Sequence, residues 1–480
     1  MNKRMIGNIL GYALLIEAAF MLPAMLISLF ANERDAVFGF LLAIVMLLAA
    51  SRLFLLKKAE RRDFYSREGL VTAGLVWVVM SLFGALPYYF SGAVPSYIDC
   101  IFETVSGFTT TGASVITDIE ALPMGILYWR SFTIWLGGMG VLVFLLAIKP
   151  LTNEGGGSLH LLRAEAPGVK VGKIMPRMRH SAATLYVIYV VLTIVEFLLL
   201  VIDMPVFDAL TASFATAGTG GFAIKNDSMC SYSTYAQAVM TVFMFLFGIN
   251  FSLFYLMLLR RFRDAFRSEE LRAYFVITLV SAGIITLDIL PFFETVGTAI
   301  HHATHTVVSI MTTTGFAISD FDQWPELSRG LLVILMFVGA CAGSTGGGLK
   351  IVRVIVVFRL IRRSILRALH PNVTQVIRMD GEILDEDTAD TVSAFLMVYF
   401  VLLCGGTLLL SLEGQDFTTT YTSIASCLNN IGPALGNAGP MLNYSCYTGF
   451  GKLILSFAML FGRLEIYPVL VLFSVSTWKK

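Results

Sequence analysis

Four short stretches of this chain carry residue types that could hold a bare cation: Thr109-Thr110-Thr111-Gly112-Ala113-Ser114, Thr219-Gly220-Gly221-Phe222, Thr313-Thr314-Gly315-Phe316 and Asn430-Ile431-Gly432-Pro433. A dehydrated cation needs several oxygens in place of its water. Backbone carbonyls that point inward supply them without setting a full charge beside the ion. Glycine tolerates the positive φ that lines such carbonyls up, because it has no Cβ, and threonine adds a hydroxyl oxygen. One Thr-Thr-Gly on its own is an ordinary turn. Aligned on Gly112, Gly221, Gly315 and Gly432, however, the four stretches lie 109, 94 and 117 residues apart, each between apolar runs. Repetition at that period predicts a single pseudo-fourfold membrane object whose four glycine strands meet at its axis, the geometry of an ion pore. The expected ion ligands are Thr110, Thr111 and Gly112; Thr219, Gly220 and Gly221; Thr313, Thr314 and Gly315; and Asn430, Ile431 and Gly432.

The elements that must position these strands are membrane helices. With 56% hydrophobic and 14% charged residues the chain is too apolar for water and belongs in a bilayer. Two leading spans, about 6–30 and 37–56, flank the polar turn Asn32-Glu33-Arg34-Asp35 and contain no glycine strand. The first resembles a signal peptide but is longer than a usual apolar core and lacks a clear cleavage site, so it reads as a retained helix. Each repeat then predicts a span, a short helix, the strand and a second span. The short helices, about 97–108, 207–217, 296–311 and 417–429, are too brief to cross, so they should enter the membrane and turn back. Asp99, Asp208, Glu294 and Asp416 near their outer starts suit the positive end of the helix dipole, while the negative ends face the ion. The second spans are expected near 127–148, 236–259, from 330 onward, and 453–473.

Ten spans put both termini on one side. The segments that share that side hold 27 of the 34 lysines and arginines, which makes it cytoplasmic. The expected fold is an all-α membrane protein: a two-helix unit over 1–68, then helix/pore-helix/filter/helix repeats over 69–178, 179–270, 271–388 and 389–480 around one pore.

The third repeat's second span is too long for one crossing, and Gly339 to Lys350 at its centre includes Gly343-Ser344-Thr345-Gly346-Gly347-Gly348. Three consecutive glycines cannot hold a stiff helix, so a loop inside the membrane beneath the strands is expected, and a plug in that place is a gate. A phosphate loop is rejected, because Leu349 stands where the lysine must follow the last glycine. Arg463 lies within the last apolar span, where a charge faces a cavity or a partner. Glu465 and the carbonyls of the 343–348 loop are both candidates, and the loop is favoured, since a fixed cation there would oppose ion passage. Lys350 completes the expected gate.

His301, His302 and His305 could pair on a metal, but no carboxylate or cysteine completes such a site, so polar packing is the better reading. Trp135-Leu136-Gly137-Gly138-Met139-Gly140 offers a close-packing face for helices. The six cysteines show no metal spacing, and a disulfide among Cys100, Cys230 and Cys446 stays open. No serine, cysteine or carboxylate constellation suggests an enzyme.

In these residues the chain resembles the Trk/Ktr/HKT superfamily of potassium transporters, in its bacterial TrkH-type branch. The resemblance covers the two leading helices, the four helix-filter-helix repeats, the Gly-Ser-Thr-Gly-Gly-Gly loop and Gly462-Arg463-Leu464-Glu465. It implies potassium uptake across the bacterial inner membrane, an intramembrane gating loop at 339–350 and a membrane arginine at Arg463. It also implies a homodimer with two separate pores, and a cytosolic ring of TrkA-type RCK subunits that carry the nucleotide, for which the basic segments 260–272 and 353–378 are the docking candidates. The resemblance brings no cofactor beyond the transported potassium and no nucleic acid. Asn430-Ile431-Gly432-Pro433 departs most from the threonine pattern. In plant relatives a serine at the first filter glycine goes with sodium permeability; Gly112 here favours potassium. Two other readings stay on the table: a proton- or sodium-coupled carrier, disfavoured by the scarcity of midplane charges, and a sodium- or ammonium-permeable relative.

Overall fold

The computed structural model describes residues 2–56, 66–140, 178–370 and 376–478, and these residues are almost wholly helical. Lys3–Phe30 and Arg34–Leu55 form an antiparallel hairpin, with Asn32 at φ 59° in the turn. The hairpin leans on the rest of the molecule at a defined point. Glu33 accepts from the Met124 N–H at 2.7 Å, which places a carboxylate on the free amides and positive dipole end of helix Met124–Gly138.

Four sets of elements then follow in the same order. The first is Ser66–Gly84 with Leu86–Phe90, then Tyr97–Phe108 and Met124–Gly138; the second is Met178–Leu200, Val206–Ala217, Thr234–Phe247 and Phe251–Leu258. The third is Glu269–Ile289, Val296–Met311, Glu326–Val338 and Ile351–Leu369, and the fourth is Glu386–Leu410, Phe417–Asn429, Gly449–Arg463 and Tyr467–Phe473. The short second helix of each set has 12, 12, 16 or 13 residues. At 1.5 Å per residue these reach about 18–24 Å, short of a hydrocarbon core of about 30 Å. They form the buried centre. Several of their hydroxyls donate to the preceding turn, as where Thr104 donates to Cys100 O at 2.8 Å and Thr422 to Thr418 O at 2.7 Å. Asp99 and Asp208 lie in first turns, Asp416 caps its helix, and Glu294 stands just before the cap Thr295.

The long helices turn their apolar sides outward. Within Glu386–Glu413 the most apolar 18 residues have a mean hydropathy of 2.3 yet are only 22% buried, with Met397, Val401 and Leu408 exposed. A surface of that kind is solvated by lipid, not by water. Among the described residues five helices are long and apolar enough to cross a membrane, or six if the pair Thr234–Phe247 and Phe251–Leu258, bent by 90°, is one span. The ten spans expected from sequence, the broken second span of the third set among them, exceed this number for a specific reason. The second long element breaks in the second and fourth sets as well as in the third, at Gly248-Ile249-Asn250, over 339–350 and at Leu464-Glu465-Ile466, while in the first set helix Met124–Gly138 ends two residues before the described stretch stops. Helices Glu269–Ile289 and Glu386–Leu410 also begin several residues earlier than hydropathy suggests, because acidic first turns are good helix starts. The remainder of the expected 127–148 span and the basic stretches 57–65 and 149–177 lie outside the described residues.

On the same side as these breaks, Arg378–Met379 and Glu382–Ile383 make a small antiparallel hairpin over the turn Asp380-Gly381, both at positive φ. Asp380 accepts from the Glu269 N–H at 2.7 Å and so caps the third set's first helix.

Candidate functional site

Each short helix ends in the same closure. In the first, the Thr111 N–H donates to Ser106 O at 2.8 Å and the Thr110 N–H to Gly107 O at 3.0 Å. Gly220 and Thr219 donate in the same way to Ala215 and Thr216, Thr314 and Thr313 to Ser309 and Ile310, and Ile431 and Asn430 to Ser426 and Cys427. This is the Schellman pattern, which forces the residue after the cap into the left-handed region. Thr110, Thr219, Thr313 and Asn430 sit there at φ 56°, 54°, 61° and 56°. Glycine is the usual occupant, and a β-branched residue there holds about 1–3 kcal/mol of strain that only surrounding structure can maintain.

Two residues on, Gly112, Gly221, Gly315 and Gly432 turn the chain outward at φ 79°, 59°, 83° and 105°. A Cβ on Gly112 would strike the Gly220 carbonyl, one on Gly221 the Thr314 carbonyl, and one on Gly315 the Ile431 carbonyl; on Gly432 it would stand 2.7 Å from Thr111 O. Each struck carbonyl belongs to the residue just before the next glycine. The contacts run from first strand to second, third, fourth and back to the first, so the twelve residues singled out from sequence close a ring.

The ring is fourfold in its backbone and nearer twofold in its side chains. Thr109 and Thr111 share a hydroxyl hydrogen bond at 2.8 Å, as do Thr312 and Thr314 at 2.8 Å. The other two strands lack this pair. Thr219 donates to Gly218 O at 2.7 Å, while the Asn430 amide reaches across to Thr111 Oγ1 at 3.0 Å and to Met459 O at 2.9 Å. Asn430 Oδ1 and Thr110 Oγ1 are buried without a hydrogen-bond partner. The negative ends of four helices meet here, and no ring residue carries a charge.

Beyond the ring each strand is braced. Ser228 and Met229 hold both polar groups of Ala317, Gly436 donates to Asp322 at 3.2 Å, and Tyr444 donates from its hydroxyl to Gly432 O at 2.7 Å and from its amide to Ser114 O at 2.8 Å. Between the first and second strands the brace is ionic. Arg130 Nε donates to Glu103 at 2.7 Å, and both side chains are buried, at 1% and 0% exposure. Sequence reading passed over both residues, although an arginine inside an apolar run is the signal that singled out Arg463.

Below the ring lies the loop over 339–350, bounded by Val338 and Ile351. Gly339, Gly343, Gly348 and Lys350 all have positive φ. The Gly347 N–H donates to Thr313 Oγ1 at 2.6 Å, and a Cβ on Gly346 would stand 2.8 Å from Thr312 O, so this backbone presses on the third and fourth strands from beneath. Phe251 donates to Gly343 O at 3.0 Å and Ala342 to the Glu270 carboxylate at 2.6 Å. The buried Lys350 ammonium bonds to the Gly346 carbonyl within the same loop. Arg463 donates to Thr345 O at 2.8 Å and to Gly137 O and Gly138 O at 2.5 and 2.7 Å. It therefore ties the loop to the C-terminal carbonyls of helix Met124–Gly138. Glu465, the other candidate partner, pairs with Arg353.

Other motifs do not join this site. His301 bonds Gln237 at 2.9 Å, His305 bonds Thr241 at 2.7 Å, and His302 stacks on Phe293 with centroids 4.6 Å apart. The six cysteines are free, with Cys100, Cys341 and Cys427 buried. Several arginines of the basic segments are engaged within the chain, Arg261 with Asp264, Arg359 with Glu269 and Arg363 with Glu386.

Comparison with known proteins places this architecture. A family profile described as "TrkH: Cation transport protein" matches residues 37–282 and 293–479. The Trk system potassium uptake protein TrkH of Halomonas elongata is 37% identical over 492 aligned residues that take in all of both chains. TrkH of Salmonella typhimurium is 34% identical, again over the whole of both chains, and TrkG of Escherichia coli is 30% identical over all of this chain and 99% of its own. The crystal structure of the potassium transporter TrkH from Vibrio parahaemolyticus superimposes with a TM-score of 0.89 at 30% identity and covers both chains completely. None of these relatives is named as an enzyme. With the profile spanning nearly its whole length and these relatives matched end to end, this chain belongs to the TrkH family of cation transport proteins.

Proposed function

We propose that this chain is the membrane subunit of a bacterial potassium uptake system, in which the ion passes through the ring of glycine strands. The observation that carries the reading is the closure of that ring, in which every glycine abuts the carbonyl before the next one. Backbone carbonyls of four strands, with threonine hydroxyls, supply neutral oxygens in place of water, and the converging helix ends add a favourable field. The two leading helices and four helix/pore-helix/filter/helix sets make ten crossings of the inner membrane with both termini in the cytoplasm, the broken second elements each counting once. The loop over 339–350 acts as the gate. It opens when the bonds of Thr345 to Arg463, Ala342 to Glu270 and Gly347 to Thr313 give way together. Hydrogen bonds to charged groups contribute about 1.5–3 kcal/mol each, so the closed state dominates until something acts on it. We read that agent as a cytosolic RCK ring of TrkA type, docking on a homodimer at 260–272 and 353–378, where Arg260, Arg263 and Arg362 are exposed.

The test is uptake of radioactive rubidium into liposomes holding the purified full chain, with potassium, sodium and ammonium as competitors and Gly112→Ser as control. Uptake suppressed by potassium and little by sodium, with that discrimination lost in Gly112→Ser, is the expected result. Dependence on an imposed proton or sodium gradient would replace the channel-like reading with a carrier, and equal competition by sodium or ammonium with a less selective pathway.

A further inference from the structure

The braces around the ring differ in kind: the Asp322 carboxylate that meets Gly436 pairs with a partly exposed Arg329, whereas the ion pair between the first and second strands is fully buried. Glu103 belongs to the first short helix, and its carboxylate accepts from Arg130 Nε at 2.7 Å, from the Ser114 hydroxyl at 3.0 and 3.2 Å, and from the Val115 N–H at 3.2 Å. Arg130 divides its other nitrogens between the two strands. One donates to Ser114 Oγ at 3.3 Å and the other to Ala223 O at 2.9 Å, while the guanidinium lies 4.0 Å over the Phe222 ring. Ser114 stands two residues after Gly112, and Ala223 two residues after Gly221. The planar fork therefore spans equivalent levels of neighbouring strands and fixes their separation, which a flexible ammonium cannot do.

We propose that the Arg130–Glu103 pair positions the first two strands and so sets discrimination between potassium and the smaller sodium ion. Burial of the pair fits a positioning role better than a stabilising one. Desolvation of two charges is costly, and apolar replacements often stabilise as well. The invested geometry reaches Ser114 and Ala223, each two residues beyond a ring glycine, and Ser114 is also held by the Tyr444 amide at 2.8 Å. The pair is neutral overall, so it shapes the mouth without placing a net charge there.

The inference rests on the pore reading above, and one assay separates the two. In the liposome measurement, absence of potassium-suppressed uptake from both the wild-type chain and the gate-released Arg463→Ala variant overturns the pore reading itself. Given wild-type discrimination, Arg130→Lys keeps the charge but loses the fork. Its ratio of sodium to potassium competition should shift about tenfold toward sodium, equivalent to about 1.4 kcal/mol. A residue needed only for folding would lower total uptake and leave that ratio unchanged. An unaltered ratio in folded Arg130→Lys overturns the proposal. Should that variant fail to purify as a folded protein, Ser114→Ala decides, since it removes the hydroxyl that both charged groups share and leaves the buried pair intact. A shift toward sodium there supports the proposal, and an unchanged ratio defeats it.

Discussion

The ring and the loop beneath it are both irregular backbone at membrane depth, yet they are held in opposite ways. In the ring, every strand is fixed from behind by a helix end and from the side by its neighbour's carbonyl, with glycines packed too closely to admit a Cβ. In the loop, Gly339, Gly343 and Gly348 give the backbone its shape, side-chain bonds from Arg463, Glu270 and Thr313 hold it in place, and backbone bonds tie it to the Phe251 N–H and to Gly248 O. Over-determined backbone keeps one conformation. Backbone held at a few points can have two, which is what a switch requires.

The contrast can be broken from the ring side first. Gly315→Val would force a branched side chain at φ 83° against Ile431 O and the Pro433 ring. Potassium-suppressed uptake should fall to background while the chain still purifies as folded protein, and near-normal flux would show the ring to be less constrained than its packing implies. From the loop side the effect has the opposite sign. Arg463→Ala removes the donor to Thr345, Gly137 and Gly138, so uptake without any partner should rise about tenfold, the equivalent of one charge-assisted bond. Flux unchanged or lowered would mean the arginine does not restrain the loop.

The smallest effect is expected at the outer edge. Asp416 caps Phe417–Asn429 through the Thr419 hydroxyl and amide, which hold its carboxyl below the usual range. Asp416→Ala should lower thermal stability by about 1 kcal/mol without altering ion competition. Because the folded carboxyl titrates below its unfolded value of about 3.9, that contribution is present above this pH and fades as pH falls through the depressed value. The variant should lack this acid limb in a melting profile.

What the sequence makes legible follows the same contrast. The ring triplets can be read because Thr and Gly recur at matched distances from apolar runs, and local hydrogen bonding alone dictates each helix ending. The glycine-rich 343–348 segment is legible for the same local reason. The breaks in the second and fourth sets and the end of helix Met124–Gly138 are not. Gly137-Gly138 reads equally well as a packing face, and Gly248 and Gly462 are single glycines that a helix tolerates. Their carbonyls stay open only because distant groups meet them: Arg463 at Gly137 and Gly138, and Cys341 N–H at Gly248 O, 3.1 Å away. The Glu103–Arg130 pair is silent in sequence for a related reason. Its function depends on Ala223, 93 positions from Arg130, an unmarked residue that contributes only a carbonyl.

All four quadrants of the ring are written in one reading frame, and this gives the side-chain differences among them a genetic meaning. In an assembly of four identical chains, a codon change would alter every quadrant at once, and only substitutions tolerable in fourfold dose would survive. Here a change at Ile431 or Asn430 replaces a side chain in one quadrant and leaves the sequence of the other three as it was. Each position can drift in single doses, so the ring is open to gradual adjustment where a symmetric tetramer would meet a cliff.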